Sequence, residues 1–197
     1  MRAKTHPAAR HQTAERQKIM KHVILGITGS IAAYKAADIA NTLTKQGVSV
    51  HVIMTESATK LITPLTLQTL TKNKVHTDMF DEYQPSEVQH ISLAKQADLM
   101  LVAPATANFI AKAAAGIADD MLTTVLTAFI NKPVIVCPAM NTNMYENPIT
   151  QRNIQTLREY GFTFVEPREA MLACGDLGKG ALASVDTILE AVGEFLK

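Results

Sequence analysis

Two side chains in this sequence could exchange a proton near neutral pH. His90 follows a polar connection, and an imidazole titrates close to neutrality. Cys174 stands in a loop with glycines at 175, 178 and 180, which could fold over a ligand as a lid and bring a thiol proton with it. Each has an ordinary alternative: an isolated histidine is usually a surface or structural residue, and a glycine-rich loop can be a plain flexible turn.

Uncharged polar side chains and methionines follow the apolar run at 133–138, in the stretch PVIVCPAMNTNMYENP. Asn141 and Asn143 offer hydrogen-bond donors and acceptors without charge, while Met140 and Met144 offer soft apolar surface. Such a lining suits a flat ring beside a small polar substrate. The alternative is packing, since methionine and tyrosine are more often core residues.

Hydroxyls and glycine follow the first two apolar runs. Gly29 and Ser30 begin a helical stretch, whose free amides favour an anion, and Thr55 and Ser57 follow the second run. The glycines lack the dinucleotide spacing, and the second run ends in MTESA, where Thr55 and Ser57 offer hydroxyls in place of the acid that a ribose diol would need. These residues therefore suggest a phosphate, although Gly29 could simply make a turn and Ser30 could simply cap a helix.

The segment APATAN follows another apolar run, and its Thr106 and Asn108 could cap the next helix or reach a ligand. Capping is the simpler interpretation of that segment alone. Taken together, a phosphate site, polar loops at successive strand ends, a histidine and a lid thiol predict a mononucleotide-cofactor site without a metal.

Alternating elements must position these residues. Short β-branched runs are predicted as strands at 22–27, 48–54, 74–80, 98–104, 133–138 and 161–167. Helical periods are predicted at 31–46, after Pro64, at 107–115, from Asp119 and Asp120 to about 129, at 148–160 and at 186–196. This alternation predicts an α/β fold with a single domain: a Rossmann-like, doubly wound parallel sheet in three α/β/α layers. Ligands bind such sheets beyond the carboxyl ends of the strands.

Composition favours a soluble, cytoplasmic protein. The chain has 197 residues, 47% of them hydrophobic, and no apolar run that approaches the length of a membrane span. Residues 1–20 are expected to form a disordered tail or expression leader, ahead of a domain at 21–197. The tail carries five basic residues and one acidic residue, so the remainder has 14 basic and 17 acidic side chains and no nucleic-acid footprint. Cys137 and Cys174 are predicted to be free thiols.

Four motifs resemble one family in the same order along the chain. They are GITGSIAAYK, His90 with the following ISLAKQADLMLVAPATANFIAKAAAGIADDMLT, PAMNTNMYENP, and ACGDLGKG. Together they are similar to the flavin-dependent cysteine decarboxylases over about residues 21–196. The resemblance implies FMN as cofactor, with contacts from Gly29, Ser30, Ile31, Thr55, Ser57, Thr106, Ala107, Asn108 and Ala139.

The resemblance also implies catalytic and substrate-binding roles. His90 would act as the base and Cys174 as the acid on the lid. Asn141 would hold the substrate carboxylate, and further substrate contacts would come from Met144, Ala173 and Gly175.

Within that family the motifs are most similar to the branch that makes 4′-phosphopantetheine from 4′-phosphopantothenoyl-L-cysteine in coenzyme A biosynthesis. The implied carboxy-lyase reaction oxidises the carbon bearing sulfur to a thioaldehyde, loses carbon dioxide to give an enethiol, and then returns the hydride. A neutral Asn141 would hold the carboxylate without a full charge pairing that opposes its loss. The resemblance further implies a homotrimer, or a dodecamer of trimers, with FMN between subunits.

Two departures and three rival functions accompany this resemblance. The ligase activity of bifunctional relatives is expected on another polypeptide, and Ala181 replaces a basic residue that often follows the second glycine run.

The rivals are a peptidyl-cysteine decarboxylase of peptide-antibiotic maturation, a flavin prenyltransferase and a regulator of protein phosphatases. A lid thiol argues against the first, the PAMN loop and the lid thiol against the second, and the lack of long acidic tails against the third.

Overall fold

A parallel sheet forms the centre of the molecule in a computed structural model, which describes residues 20–80, 88–171, 175 and 177–197. Its strands, within those residues, are β1 His22–Ile27, β2 Ser49–Met54, β3 Val75–His76, β4 Leu99–Ala105, β5 Val134–Pro138 and β6 Thr163–Phe164. They lie in the order β3-β2-β1-β4-β5-β6 and all neighbouring pairs are parallel. This is the order of the doubly wound nucleotide-binding folds, so the predicted fold class is confirmed.

Helices cover the sheet, and local sequence signals set their ends. They are α1 Lys35–Lys45, α2 Glu56–Thr59, α3 Pro64–Thr71, α4 Gln89–Gln96, α5 Ala107–Ala115, α6 Met121–Ala128, α7 Thr142–Glu146, α8 Pro148–Glu159 and α9 Val185–Phe195. A 3-10 turn at Ile31–Tyr34 precedes α1. Asp120 and Thr123 form a capping box at the start of α6, and Gly116 ends α5 in the left-handed conformation.

Two buried clusters separate the three layers. Val23, Leu25 and Ile27 of β1 pack with α1, α3 and α9 on one face of the sheet. Ile24, between them in sequence, packs on the opposite face with residues of α4, α5, α6 and α8. Because side chains alternate along a strand, only helices on both faces can bury such continuous apolar runs.

The carboxyl-terminal part of the sheet is followed by a β-hairpin that the sequence did not predict. Its strands are β7 Arg168–Met171 and β8 Leu177–Ala181, and they pair antiparallel. A loop was expected across 172–184, and that expectation was wrong at 177–181, which form β8. The role of the segment as a lid stays a prediction. The strands predicted at 74–80 and 161–167 shrink to the two-residue edge strands β3 and β6.

Two further segments differ from the sequence expectations. His90 lies on α4, where no helix was predicted, and the loop after β5 contains α7. Residues 1–19 and 81–87 lie outside the described residues, and the predicted domain boundary at residue 21 stays a prediction. No helix in the described part of the chain is long and apolar enough to cross a membrane.

Candidate functional site

Thr28 joins the carboxyl ends of two central strands. Its hydroxyl donates a hydrogen bond to the Pro104 carbonyl at 2.8 Å and accepts one from the Thr106 amide at 2.9 Å. The residue is almost fully buried, with 1% of its surface exposed. Thr28 therefore fixes the start of α5 relative to the turn that follows β1. Thr28 was not among the predicted site residues, because an isolated threonine gives no signal of a tertiary contact.

The turn after β1 approaches the turn after β2 very closely. A Cβ built on Gly29 would lie 2.4 Å from the Ser57 Cβ, so only glycine fits there. Ser30 caps the 3-10 turn and accepts a hydrogen bond from the Ala32 amide at 3.4 Å. Thr55 likewise caps α2 and accepts one from the Ala58 amide at 3.3 Å. The two hydroxyl-bearing turns thus form one continuous polar corner at the sheet edge.

The loop after β5 is held in place by backbone and side-chain hydrogen bonds. The Ala139 amide donates to the Ala105 carbonyl at 3.0 Å, which continues the pairing of β4 with β5. Asn141 caps α7, where its Oδ1 accepts from the Asn143 amide at 2.8 Å. Met144 lies on α7 and is half exposed. The same loop therefore caps a helix through Asn141 and presents the apolar side chain of Met144 at the surface.

The hairpin packs directly on that loop. The Met140 amide donates to the Gly180 carbonyl at 2.9 Å. A Cβ on Gly180 would lie 2.3 Å from the Met140 carbonyl oxygen, and one on Gly178 would lie 2.5 Å from the Thr142 hydroxyl oxygen. Gly180 is thus needed for close contact between two backbones, and Gly178 for close contact with the Thr142 side chain. Both have a packing role and not a flexible one.

A cavity of about 500 Å³ lies where these segments meet. Seven of the predicted site residues line it: Gly29, Ser30, Ile31, Thr106, Ala139, Asn141 and Met144. Lys35 and Arg168 add two positive charges, and no acidic side chain is among the described residues that line it. The structure therefore brings together the turn at Gly29 and Ser30, the start of α5 at Thr106 and the loop at Asn141. These segments surround one space that is suited to an anionic ligand.

Other predicted residues lie outside the lining. Thr55, Ser57, Ala107 and Asn108 are near it in sequence, and Asn108 is exposed. His90 is half-buried on α4, which packs against α6, and it does not line the cavity of its own chain. Gly175 adopts a left-handed φ of 89°. Ala173 and Cys174 lie outside the described residues.

A carboxylate beside the hairpin collects three donors. Glu166 accepts hydrogen bonds from the Lys179 ammonium and the Tyr145 hydroxyl, each at 2.8 Å, and also pairs with Arg158. Burial acts to raise the pKa of Glu166, but the hydrogen bonds from Lys179 and Tyr145 outweigh it and hold the pKa below its usual range. The network joins β8 to α7 and α8.

Cys137 is buried and unreactive, and the described residues contain no metal-binding cluster. Cys137 is a free thiol, fully buried in β5, and burial raises its pKa far above its usual range. In the part of the chain that the structure describes, no group of three or more His, Cys, Asp or Glu side chains is arranged to hold a metal ion.

Strand order and site together define the class of protein. A Rossmann-like sheet with a glycine–serine turn and a cationic cavity at its carboxyl edge is a mononucleotide-binding architecture. The chain matches the Flavoprotein family over residues 11–197. It belongs to that family.

Two curated bacterial proteins are similar in sequence. The probable phosphopantothenoylcysteine decarboxylase of Streptococcus mutans serotype c is 51% identical over 177 residues, covering 89% of this chain and 99% of that protein. The coenzyme A biosynthesis bifunctional protein CoaBC of Bacillus subtilis is 49% identical over 170 residues, which are 86% of this chain. The matched region spans only 42% of the length of that bifunctional protein.

Solved structures agree with the fold. A PPC decarboxylase variant complexed with pantothenoylaminoethenethiol superposes with a TM-score of 0.84 at 34% identity, covering 89% of this chain and 98% of the other. The FMN binding protein AtHal3 gives a TM-score of 0.80, also at 34% identity, over 89% of this chain and 96% of the other.

Proposed function

We propose that this protein is an FMN-dependent carboxy-lyase that converts 4′-phosphopantothenoyl-L-cysteine to 4′-phosphopantetheine. The observation that carries the proposal is the shared cavity, because it joins the helix start around Gly29 and Ser30 to the loop around Asn141 and Met144. These are the segments that the four motifs assign to cofactor and to substrate. The similarity to the Streptococcus mutans protein over 99% of its length supports the same activity.

The residues present fit a flavin mononucleotide. Gly29 permits a close approach of backbone that a Cβ would block, and Ile31, Ala139 and Met144 supply apolar surface. The volume of about 500 Å³ lies within the range of cofactor sites. Ser30 and Thr106 supply hydroxyls at the wall, and Thr55, Ser57, Ala107 and Asn108 would complete the cofactor site from its edge.

Bound FMN would supply a two-electron acceptor that later returns the same electron pair, so that the reaction has no net oxidation. The protein would orient the substrate and move protons. Asn141 would hold the carboxylate by neutral hydrogen bonds, His90 would accept the thiol proton, and Cys174 would donate a proton to carbon in the returning step. Gly175 and Ala173, beside Cys174, would contact the substrate.

His90 would serve a cavity of another subunit. It does not line the cavity formed by its own chain, and an assembly with FMN between subunits would place it across an interface. We therefore propose a homo-oligomer, a trimer or a dodecamer of trimers, acting in the cytoplasm. Mixed oligomers of His90→Asn and Asn141→Asp chains would then contain some complete sites. Recovery of activity on co-refolding supports the arrangement, and two variants that stay inactive together contradict it.

The test of the activity is turnover by the purified, FMN-loaded protein. Incubation with 4′-phosphopantothenoylcysteine should release carbon dioxide and form 4′-phosphopantetheine with unchanged flavin. A peptide ending in cysteine and dimethylallyl phosphate serve as alternative substrates. Preferred release of a peptidyl enethiol would favour the peptide decarboxylase, and alkylated flavin would favour the prenyltransferase. A protein that does not bind FMN would end the proposal.

Two variants test the proton-transfer roles. Cys174→Ser should still bind FMN and release carbon dioxide, but it should accumulate the enethiol because the returning proton is missing. His90→Asn should bind FMN without bleaching it when substrate is added. Formation of 4′-phosphopantetheine at the normal rate by Cys174→Ser, or normal bleaching in His90→Asn, would remove that residue from the mechanism.

A further inference from the structure

The cavity carries two positive charges that no carboxylate of the described residues balances. Lys35, the first residue of α1, and Arg168, the first residue of β7, both line it. Neither forms an ion pair with any described residue, although five such pairs occur elsewhere in that part of the chain. Uncompensated cations on one concave wall are a feature of anion sites.

Both cations have local contacts, and these contacts leave their charges available. The Arg168 Nε donates to the Leu182 carbonyl at 3.2 Å, which uses one of the five guanidinium donors. The Lys35 ammonium lies 5.9 Å from the centre of the Tyr34 ring. Burial lowers the pKa of Lys35, and the charge of Arg168 lowers it further. The two cations therefore repel each other, and a dianion between them would relieve the repulsion.

Arg168 occupies a particular place in the hairpin. It pairs with Ala181 across the two strands, and Ala181 also lines the cavity. The hairpin packs on Met140, next to Asn141, so Arg168 belongs to the side of the cavity that is assigned to substrate.

We propose that Lys35 and Arg168 form a subsite for the phosphate monoester of the substrate. The proposal rests on the proposed function, in which substrate and cofactor each carry one phosphate monoester. An ammonium and a guanidinium suit such a dianion because each gives charge-assisted hydrogen bonds, and the guanidinium can give two in parallel. The subsite would select phosphorylated over unphosphorylated substrate.

The test uses the FMN-loaded protein and two ligands that differ only by the phosphate, 4′-phosphopantetheine and pantetheine. Calorimetry should show that Arg168→Gln and Lys35→Gln each weaken binding of the phosphorylated ligand about 10- to 100-fold, as expected for a lost charge-assisted bond. Binding of pantetheine should change less than about twofold. Arg152→Gln, at an exposed position outside the cavity, is the matched control.

A second binding experiment, with FMN and riboflavin, distinguishes a site for the substrate phosphate from a site for the flavin phosphate. The preference of the protein for FMN over riboflavin should be the same in Arg168→Gln and wild type. If Arg168→Gln loses that preference, the cations hold the flavin phosphate and the proposal is overturned. Equal losses for 4′-phosphopantetheine and pantetheine would overturn it as well.

A titration of Lys35 gives a readout independent of turnover. Binding of 4′-phosphopantetheine should raise the pKa of Lys35, whereas binding of pantetheine should leave that pKa unchanged. Carbon NMR of a sample labelled at lysine measures the pKa. No change on adding the phosphorylated ligand contradicts the subsite. If the wild type fails to decarboxylate 4′-phosphopantothenoylcysteine, the proposed function falls; if it turns over with no effect of Arg168→Gln, only the subsite falls.

Discussion

The Glu166 carboxylate accepts a hydrogen bond from Lys179 at 2.8 Å and so ties the second strand of the hairpin to the body of the domain. Tyr145 donates to the same carboxylate at 2.8 Å, and Arg158 pairs with it. Lys179 also lies 5.4 Å from the centre of the Tyr145 ring. Since the Met140 amide also donates to the Gly180 carbonyl, the hairpin is held at two points.

We expect Glu166→Gln to disturb catalysis more than stability. Its side chain is 47% exposed, and exposed pairs contribute about 0–1 kcal/mol, so unfolding should change little. A hairpin that moves by about 1 Å, however, can cost up to about 100-fold in rate. Steady-state kinetics and the ratio of enethiol to 4′-phosphopantetheine measure the effect, and the proportion of enethiol should rise.

Glu159→Gln is the control for that variant, because it neutralises an exposed carboxylate on α8 that accepts a hydrogen bond from Gln155 and does not line the cavity. It should match the wild type in both rate and product ratio. Wild-type kinetics in Glu166→Gln would show that the network does not position the hairpin.

The parts of the fold that follow from local patterns were predictable. Strands β1, β4 and β5 are long apolar runs buried on both faces, and α5 and α6 have clear caps at Thr106 and Asp120. Such signals depend on residues that are close in sequence, so a single amino-acid sequence is sufficient to recognise them.

Features that depend on distant contacts were not predictable. The glycines at 178 and 180 read as flexible, yet they allow β8 to lie against Thr142 and Met140. Thr28, Lys35 and Arg168 gain their roles from partners that are far away in sequence. The edge strands β3 and β6 are too short to produce a periodic pattern.

Gly29→Ala should weaken FMN binding while the domain stays folded. The new Cβ would meet the Ser57 Cβ at 2.4 Å, so the turns after β1 and β2 must move apart at the proposed phosphate corner. We expect a loss of at least about tenfold in affinity, which corresponds to about 1.4 kcal/mol. Titration of the apoprotein with FMN, followed by flavin fluorescence, measures it.

Gly193→Ala is the matched control, since no heavy atom lies within 4 Å of its added Cβ and the residue is inside α9. It should bind FMN normally and gain about 0.5–1 kcal/mol of stability from the higher helix propensity of alanine. An unchanged FMN affinity in Gly29→Ala would mean that the corner does not contact the cofactor.

Thr28→Val should destabilise the fold through one lost hydroxyl. The change leaves the part-buried Thr106 amide and the Pro104 carbonyl without their side-chain partner, which costs about 1–3 kcal/mol. Thr28→Ser keeps the hydroxyl and should recover most of that loss. Urea unfolding of the three proteins measures the free energies. Equal stability of the serine and valine variants would rule out the hydrogen bonds as the cause.

Stability should fall in mild acid because of a histidine pair at the opposite end of the sheet. His22 Nδ1 and His51 Nε2 lie 3.3 Å apart with stacked rings, and Ser49, Gln96 and Asp98 also contact the pair or its backbone. Burial lowers the pKa of His51, and the nearby His22 lowers it further. Folding therefore opposes protonation of His51.

The sign of the pH effect follows from that lowered pKa. Above the pKa of a free histidine, about 6.5, both folded and unfolded chains hold His51 neutral, and the folded state keeps its full stability. As the pH falls below that value towards the lowered folded pKa, the unfolded chain binds a proton first and stability is lost. Urea unfolding between pH 8 and pH 5 should show this decline. His51→Gln should make the decline shallower, whereas Asp38→Asn, an exposed acid on α1, should not; parallel curves for wild type and His51→Gln would assign the acid sensitivity to other groups.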